Sequence, residues 1–124
     1  MCDTSRETDA GHRLAAAAEA YVEAHSDEKF SLEQIARALY VNGCYLLRVY
    51  RRVRSQTLLW YHHHIRCEKA KELLEGTDMS ISAIGEQVGY VTAAHFSHMF
   101  KKMTGSTPSG WRTAHASEPN DSER

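Results

Sequence analysis

Residues 80–107 read SISAIGEQVGYVTAAHFSHMFKKMTGST, and residues 31–57 read SLEQIARALYVNGCYLLRVYRRVRSQT. Both stretches begin with a serine and a short amphipathic segment. A turn follows, and then a longer amphipathic segment that ends in an aromatic residue and two cations. This pattern predicts a short helix, a tight turn and a second helix, which is a helix-turn-helix. Two copies are too few for a solenoid. The sequence therefore predicts an all-α protein built from two helix-turn-helix subdomains.

Capping residues mark the helix ends in the first copy. Ser31 precedes Gln34 by three positions, the spacing of a capping box, and predicts a short helix over 32–39. Residues 40–42 form the predicted turn. Asn42 is the expected cap of a second helix that runs to about residue 54.

The second copy has similar helix signals and a glycine in its turn. Asp78 or Ser80 is the expected cap of a helix over 81–88, and Gly89 supplies the tight turn. The partner helix is predicted over 92–103. Thr107 then caps a last helix with Pro108 at its first position, which is a favoured arrangement.

The remaining sequence predicts two more helices between polar ends. An Ala-rich stretch over 13–25 is helical, and a long segment over 58–75 ends at a glycine. Together these segments predict about seven helices and no strands. The apolar candidates on the long helix are Leu59, Ile65, Ala70, Leu73 and Leu74. The predicted organisation is a disordered N-terminus at 1–11, the first helix-turn-helix with its preceding helix at 12–57, a long linker helix at 58–76, the second helix-turn-helix with a closing helix at 77–113, and a frayed acidic tail at 114–124.

The net charge of −1 conceals an uneven distribution of charge. The first 29 residues carry a net charge of −4, the last 12 carry −2, and the repeated region between them carries +5. Basic charge is thus concentrated where the helix-turn-helix pattern occurs. Such a distribution is typical of a nucleic-acid-binding protein, although the whole-chain charge alone would argue against one.

Composition excludes several other classes of protein. No apolar run is long enough for a membrane span, and the first residues are unlike a signal peptide. The three cysteines, Cys2, Cys44 and Cys67, are an odd number without paired spacing, which predicts a reduced, cytoplasmic setting. No catalytic triad or carboxylate pair is apparent. We therefore predict that the chain is not an enzyme and needs no cofactor.

Spacing of apolar residues indicates which face of each second helix points outward. Leu46 and Tyr50 in the first copy, like Phe96 and Phe100 in the second, lie four positions apart and predict the buried stripe. The residues that face away from this stripe are the predicted base contacts, namely Cys44, Leu47 and Arg48 beside Gly43 in the first copy, and Ala93, Ala94, Ser97 and His98 in the second. The predicted phosphate contacts are Asn42, Arg51, Arg52, Arg54, Thr92, Lys101 and Lys102.

Residues 30–112 resemble the AraC/XylS family of bacterial transcription regulators. The resemblance is most specific over 80–112, and residues 66–81 resemble the family's linker helix and the start of its second motif. The family implies two recognition helices on one side of the protein, about one turn of DNA (~34 Å) apart, that enter successive major grooves of double-stranded DNA. It also implies a monomer on DNA, located at the nucleoid in the cytoplasm, that activates transcription by contacting RNA polymerase. Because fewer than thirty residues precede the first motif, the chain resembles the small stand-alone members of the MarA/SoxS type.

The sequence departs from the family pattern at several positions. Tyr40 stands where the first turn usually has glycine, and Gly43 weakens the next helix by about 1 kcal/mol relative to alanine. Ala93 and Ala94 are too short to hydrogen-bond a base but can contact a thymine methyl group. Arg48 and His98 remain as the main donors, with Ser97 secondary. The sequence therefore predicts modest direct readout, supplemented by phosphate contacts and DNA shape.

Two alternative functions remain open on the sequence. The weakened outward faces motivate a second hypothesis, a protein-interaction module derived from such a regulator. The other alternative is a metal-responsive regulator. It is based on the run His62–His64 near Cys67, since His63 and Cys67 share a helix face. Two ligands do not close a metal site, so histidines exposed on the linker helix are the simpler interpretation. Oxidation of Cys44 on the outward face is a redox variant of this alternative.

Overall fold

In the computed structural model, seven α-helices joined by short turns make up the described part of the chain. The structure describes the backbone of residues 2–123 and the side chains of residues 9–115, and no strand occurs within that backbone range. This confirms the predicted all-α fold. The helices are α1 (Cys2–Ala24), α2 (Leu32–Ala38), α3 (Gly43–Arg54), α4 (Leu58–Gly76), α5 (Ile81–Val88), α6 (Ala93–Thr104) and α7 (Pro108–Glu123).

The helices form two compact units, Met1–His62 and His63–Arg124, called here the first and second units. The first unit contains α1, α2, α3 and the beginning of α4. The second contains the rest of α4 together with α5, α6 and α7. The division therefore falls inside α4, whereas the predicted organisation treated 58–76 as a separate linker.

A core of mostly small and medium apolar side chains, together with the larger Tyr50, holds the first unit together. The alanines of α1 allow this helix to approach α2 and α3 closely, because they add almost no side-chain volume. Leu46 and Tyr50 of α3 are buried as the predicted stripe. Burying each such side chain contributes about 1.5–3 kcal/mol. The buried residues of this core are Ala15, Ala18, Val22, Ile35, Ala36, Leu46, Tyr50 and Leu58.

Aromatic residues dominate the core of the second unit. Phe96 and Phe100 of α6 are buried in an edge-to-face pair with ring centroids 5.8 Å apart. Trp111 of α7 packs edge-on against Phe100 at 5.8 Å, which attaches the closing helix to the second helix-turn-helix. The core also includes Cys67, Ala70 and Leu74 of α4, Ile84 and Val88 of α5, and Tyr90.

Side-chain caps begin the helices at the predicted residues. Ser31 accepts a hydrogen bond from the Gln34 N–H, and the Asn42 side chain accepts from the N–H groups of Cys44 and Tyr45. Ser80, rather than Asp78, caps α5 by accepting from Ala83. Thr92 and Thr107 cap α6 and α7 in the same way. Each cap satisfies a backbone donor that the first helical turn leaves without a partner.

The two turns have the same backbone design with different residues. Tyr40 has φ 59° and Gly89 has φ 114°, so both occupy the left-handed region. The next residue in each turn donates back to the preceding helix, Val41 to the Ala36 carbonyl at 3.0 Å and Tyr90 to the Gly85 carbonyl at 2.8 Å. Glycine adopts this conformation without strain, whereas tyrosine does not. Both turns therefore have the same backbone geometry, and Tyr40, which stands in place of the usual glycine, is strained in it.

The structure corrects one prediction about packing and extends one helix. Leu59 is 45% exposed, and its neighbour Leu58 is buried instead, because the side of α4 that bears Leu58 faces the core of the first unit. Helix α1 begins at Cys2, well before the predicted start at residue 13. Of the residues predicted to be disordered, 2–11 lie in α1, and the side chains of residues 1–8 lie outside the described part. Of the tail predicted to be frayed, residues 114–123 lie in α7, and the side chains from residue 116 onward lie outside the described part.

Candidate nucleic-acid interface

Helix α3 exposes the face that the sequence predicted. Leu46, Val49 and Tyr50 are buried, and the opposite side exposes Cys44, Leu47 and Arg48 to solvent. Gly43 is half-buried, because the side chain of Leu32 lies against it. The exposed face therefore begins with side chains that are poor hydrogen-bond partners for bases and ends at an arginine.

Helix α6 exposes the equivalent face of the second unit. Ala93, Ala94 and His98 are exposed, and Ser97 is half-buried. Phe96 and Phe100 occupy the buried side. His98 is the longest polar side chain among the predicted base contacts of this helix, as expected from the sequence.

Exposed cations occupy the last turn of both helices. Arg51 and Arg52 of α3 are exposed, as are Lys101 and Lys102 of α6. Cations at a helix C-terminus also interact favourably with the helix dipole, which is a second reason for their position. Their exposure leaves them accessible to a polyanion.

Arg54 was also predicted to contact phosphate, but in the structure it is part of an internal contact. Its guanidinium donates to both carboxylate oxygens of Glu19 on α1, at 2.9 and 3.2 Å. The buried Tyr50 hydroxyl donates to the same carboxylate at 2.9 Å. Burial and then the Glu19 carboxylate raise the pKa of Tyr50, and the hydrogen bond to Glu19 raises the pKa of Arg54. Arg54 therefore joins α1 to the end of α3.

The capping residues Asn42 and Thr92 have their oxygens engaged by the helix starts. Asn42 uses its side-chain carbonyl as the cap, so a phosphate contact would come from its NH₂ group. The Thr92 hydroxyl accepts from the His95 N–H and retains its own hydrogen for donation. Both residues therefore still have a donor suited to phosphate.

The sequence prediction missed Tyr45. This side chain is 43% exposed on α3, and the Arg48 guanidinium carbon lies 5.6 Å from the centroid of its ring. The two residues are three positions apart, so helical spacing places them on neighbouring parts of one face. This i, i+3 relation was the only sequence signal for the contact.

Known proteins with similar sequences are transcriptional regulators. A helix-turn-helix domain family matches residues 35–114, which is more than half of the chain. The regulatory protein SoxS of Escherichia coli is 31% identical over 93 residues, covering 75% of this chain and 87% of SoxS. The chain belongs to the AraC family of helix-turn-helix regulators. It spans about a third of the length of several other curated relatives.

Solved AraC-type domains have the same fold as this AraC-family chain. The C-terminal domain of AraT, a response regulator from Geobacillus stearothermophilus, is 34% identical with a TM-score of 0.77, over 82% of this chain and 84% of that domain. The DNA-binding domain of AdpA, solved in complex with a target DNA, is 25% identical with a TM-score of 0.77, over 85% and 96% of the two chains. Within the described part of our chain, no helix has both the length and the apolar character needed to cross a membrane.

The histidines of α4 in this AraC-family chain are not exposed, contrary to the simpler interpretation of the sequence. His62 is buried in the first unit with its ring edge-on to Phe30 at 5.3 Å. His63 is half-buried in the second unit, and its Nδ1 lies 3.0 Å from the Tyr90 hydroxyl. Burial and then the charge of Arg66 lower the pKa of His63. His64 is half-buried as well. The prediction of exposed histidines is therefore wrong. Helix α4 is covered on more of its sides than a linker surrounded by solvent would be.

Cys67 belongs to the core of the second unit. It is buried, and burial raises the pKa of its thiol to about 11, so it is a poor source of thiolate. No three histidine, cysteine or carboxylate side chains come together to hold a metal ion among the described residues. Cys67 therefore contributes to packing in this core.

Proposed function

We propose that this chain regulates transcription by binding double-stranded DNA sequence-specifically, with α3 and α6 inserted into successive major grooves. One observation carries the proposal. Each unit buries one stripe of its second helix and exposes the opposite face, which ends in two accessible cations. A helix with this distribution is suited to enter a major groove between two phosphate backbones.

Base recognition is assigned to the exposed faces of α3 and α6. Arg48 is the proposed guanine contact, because its guanidinium can bond two acceptors of one guanine, a pairing that contributes about 1–3 kcal/mol of discrimination. His98 has a donor or an acceptor for a base edge, and Ser97 is a secondary partner. The remaining residues of the two faces would contact thymine methyl groups or pack against the groove without base-specific contacts. These residues are Cys44, Leu47, Ala93 and Ala94.

Affinity is assigned mainly to phosphate contacts. Arg51, Arg52, Lys101 and Lys102 are the proposed cationic contacts, and Asn42 and Thr92 would donate from the helix starts. Arg54 is left out, because Glu19 already occupies its guanidinium. Because few side chains on the two faces can bond to bases, DNA shape and deformability should contribute to site selection.

A monomer is the proposed binding species. One chain has two proposed recognition helices. A regulator with a single helix-turn-helix per subunit needs a dimer to bring two such helices to DNA. Activation through contact with RNA polymerase, at the nucleoid in the cytoplasm, follows from the family resemblance and is part of the same proposal.

The deciding experiment measures DNA affinity against salt concentration on fragments selected from a random pool. We expect a steep loss of affinity with salt, because neutralised phosphates release counterions. Lys101→Ala should weaken binding to all sequences and reduce the salt slope by about 1, whereas Arg48→Ala should relax specificity at one base pair. Arg13→Ala is the matched control, an exposed cation on α1 outside both faces.

Two outcomes would contradict the proposal. Absence of binding to any duplex at low salt would overturn it in favour of a protein-interaction module. Equal effects of Arg13→Ala and Lys101→Ala would show that net charge, rather than the two faces, attracts the DNA.

A further inference from the structure

An aromatic side chain and a cation share the exposed face of α3. Tyr45 and Arg48 are three positions apart, and the Arg48 guanidinium carbon lies 5.6 Å from the centroid of the Tyr45 ring. This distance is within the range of a cation–π interaction. Both side chains are exposed, so packing of the core does not determine where Arg48 points.

The backbone of Tyr45 is firmly placed at the start of α3. Its N–H donates to the Asn42 side chain at 3.2 Å as part of the helix cap. The next residue, Leu46, is fully buried. The Tyr45 side chain also has only two rotatable bonds before the ring, so it loses little entropy by remaining in place, whereas a free arginine loses much more when it is ordered.

The corresponding residues of α6 are arranged differently. His95 and His98 occupy the positions that match Tyr45 and Arg48 in the repeat. The His95 ring is edge-on to the buried Tyr90, with centroids 5.1 Å apart. The aromatic–cation pair is therefore a feature of α3, the helix that bears the proposed guanine contact.

We propose that Tyr45 is a positioning residue for base recognition, because it holds the Arg48 guanidinium on the face of α3 before DNA binds. This inference rests on the proposed DNA-binding function. Tyr45 lowers the entropy that Arg48 loses on pairing with guanine, and so increases both affinity and discrimination at one base pair. An exposed cation–π contact of this kind corresponds to roughly a two- to fivefold change in affinity.

The test compares Tyr45→Phe with Tyr45→Leu on the preferred DNA fragment and on a fragment with the guanine contacted by Arg48 replaced. Tyr45→Phe keeps the ring and should bind like wild type. Tyr45→Leu should lose roughly two- to fivefold in affinity for the preferred fragment and less for the substituted one. Circular dichroism and thermal unfolding of each variant establish that the fold is retained.

A double-mutant cycle with Arg48→Ala separates positioning from direct contact. If Tyr45 acts through Arg48, Tyr45→Leu should have no further effect in the Arg48→Ala background. An equal loss in both backgrounds would overturn the inference, because Tyr45 would then contact DNA independently. Wild-type discrimination in Tyr45→Leu would overturn it as well, while leaving the proposed function intact. Failure of the wild-type protein to bind any duplex would instead contradict the proposed function.

Discussion

Arg54 at the end of α3 donates two hydrogen bonds to the Glu19 carboxylate of α1, at 2.9 and 3.2 Å. Only about a third of the Arg54 side chain and a fifth of the Glu19 side chain are exposed. This pair fixes the C-terminal end of α3 against the helix that supports it. The orientation of the exposed face of α3 therefore depends on a residue of α1 that itself lies outside that face.

Glu19→Ala should lower the free energy of unfolding of the first unit by about 2 kcal/mol. The substitution removes the acceptor of Arg54 and also that of the buried Tyr50 hydroxyl, and hydrogen bonds to charged groups contribute about 1.5–3 kcal/mol. Urea unfolding followed by circular dichroism measures the loss. Glu33→Ala is the control, since its ion pair with Arg37 is largely exposed to solvent and should contribute below about 0.5 kcal/mol. Equal effects of the two substitutions would contradict the structural role of Glu19.

Tyr40→Gly should stabilise the first unit by about 1 kcal/mol. Tyr40 has φ 59°, a left-handed conformation that is strained for a side chain with a Cβ atom. The side chain is 94% exposed, so little packing is lost when it is removed. Thermal unfolding should show a higher midpoint for the variant. Gly89→Ala, at the matching turn of the second unit, should have the opposite effect, and a lower midpoint for Tyr40→Gly would disprove the explanation.

Gly85→Ala should destabilise the second unit by about 1–3 kcal/mol. A Cβ atom at this position would lie 2.9 Å from the side chain of Phe96, on a helix that approaches α5 too closely for a methyl group. Chemical denaturation measures the effect. Gly76→Ala at the end of α4 is the matched control, because a Cβ atom added there would meet no neighbouring side chain within 4 Å and the same substitution should be nearly neutral. Equal losses at the two glycines would contradict the steric explanation.

Acidification should destabilise the second unit through His63. Burial lowers the pKa of this imidazole in the folded protein, and the positive charges of Arg66, His95 and Lys102 lower it further. The unfolded chain therefore takes up the proton first, and the free energy of unfolding should fall as the pH decreases below about 6.5. His63→Gln, which cannot titrate, should have a flatter profile below that pH than wild type. Parallel profiles for the two proteins would exclude His63 as the cause.

Most of the secondary structure could be predicted from local sequence. Ser31, Asn42, Thr92 and Thr107 cap the helices that follow them, and each cap depends only on residues two or three positions away. The buried stripes of α3 and α6 could also be predicted, because helical spacing relates neighbouring turns. Interactions that depend on spacing within one helix are contained in the sequence pattern itself.

The candidate interface was predicted less completely, because some of its contacts join residues that are far apart in the sequence. Exposure of Arg48 and His98 followed from the stripes, but the engagement of Arg54 did not, because its partner Glu19 lies 35 residues earlier. Leu59 was assigned to the core in place of Leu58, since polar and apolar residues are distributed around all sides of α4 and spacing does not distinguish its faces.

The sequence by itself determined the two helix-turn-helix units, their caps and the residues on their outward faces, because helix formation and capping act over a few neighbouring positions. Only the tertiary structure decided which polar side chains remain available to a partner. Glu19 occupies Arg54, the core covers His62 and Cys67, and the Tyr45 ring lies beside Arg48. These outcomes depend on the packing of helices and on side-chain rotamers, neither of which a linear pattern specifies.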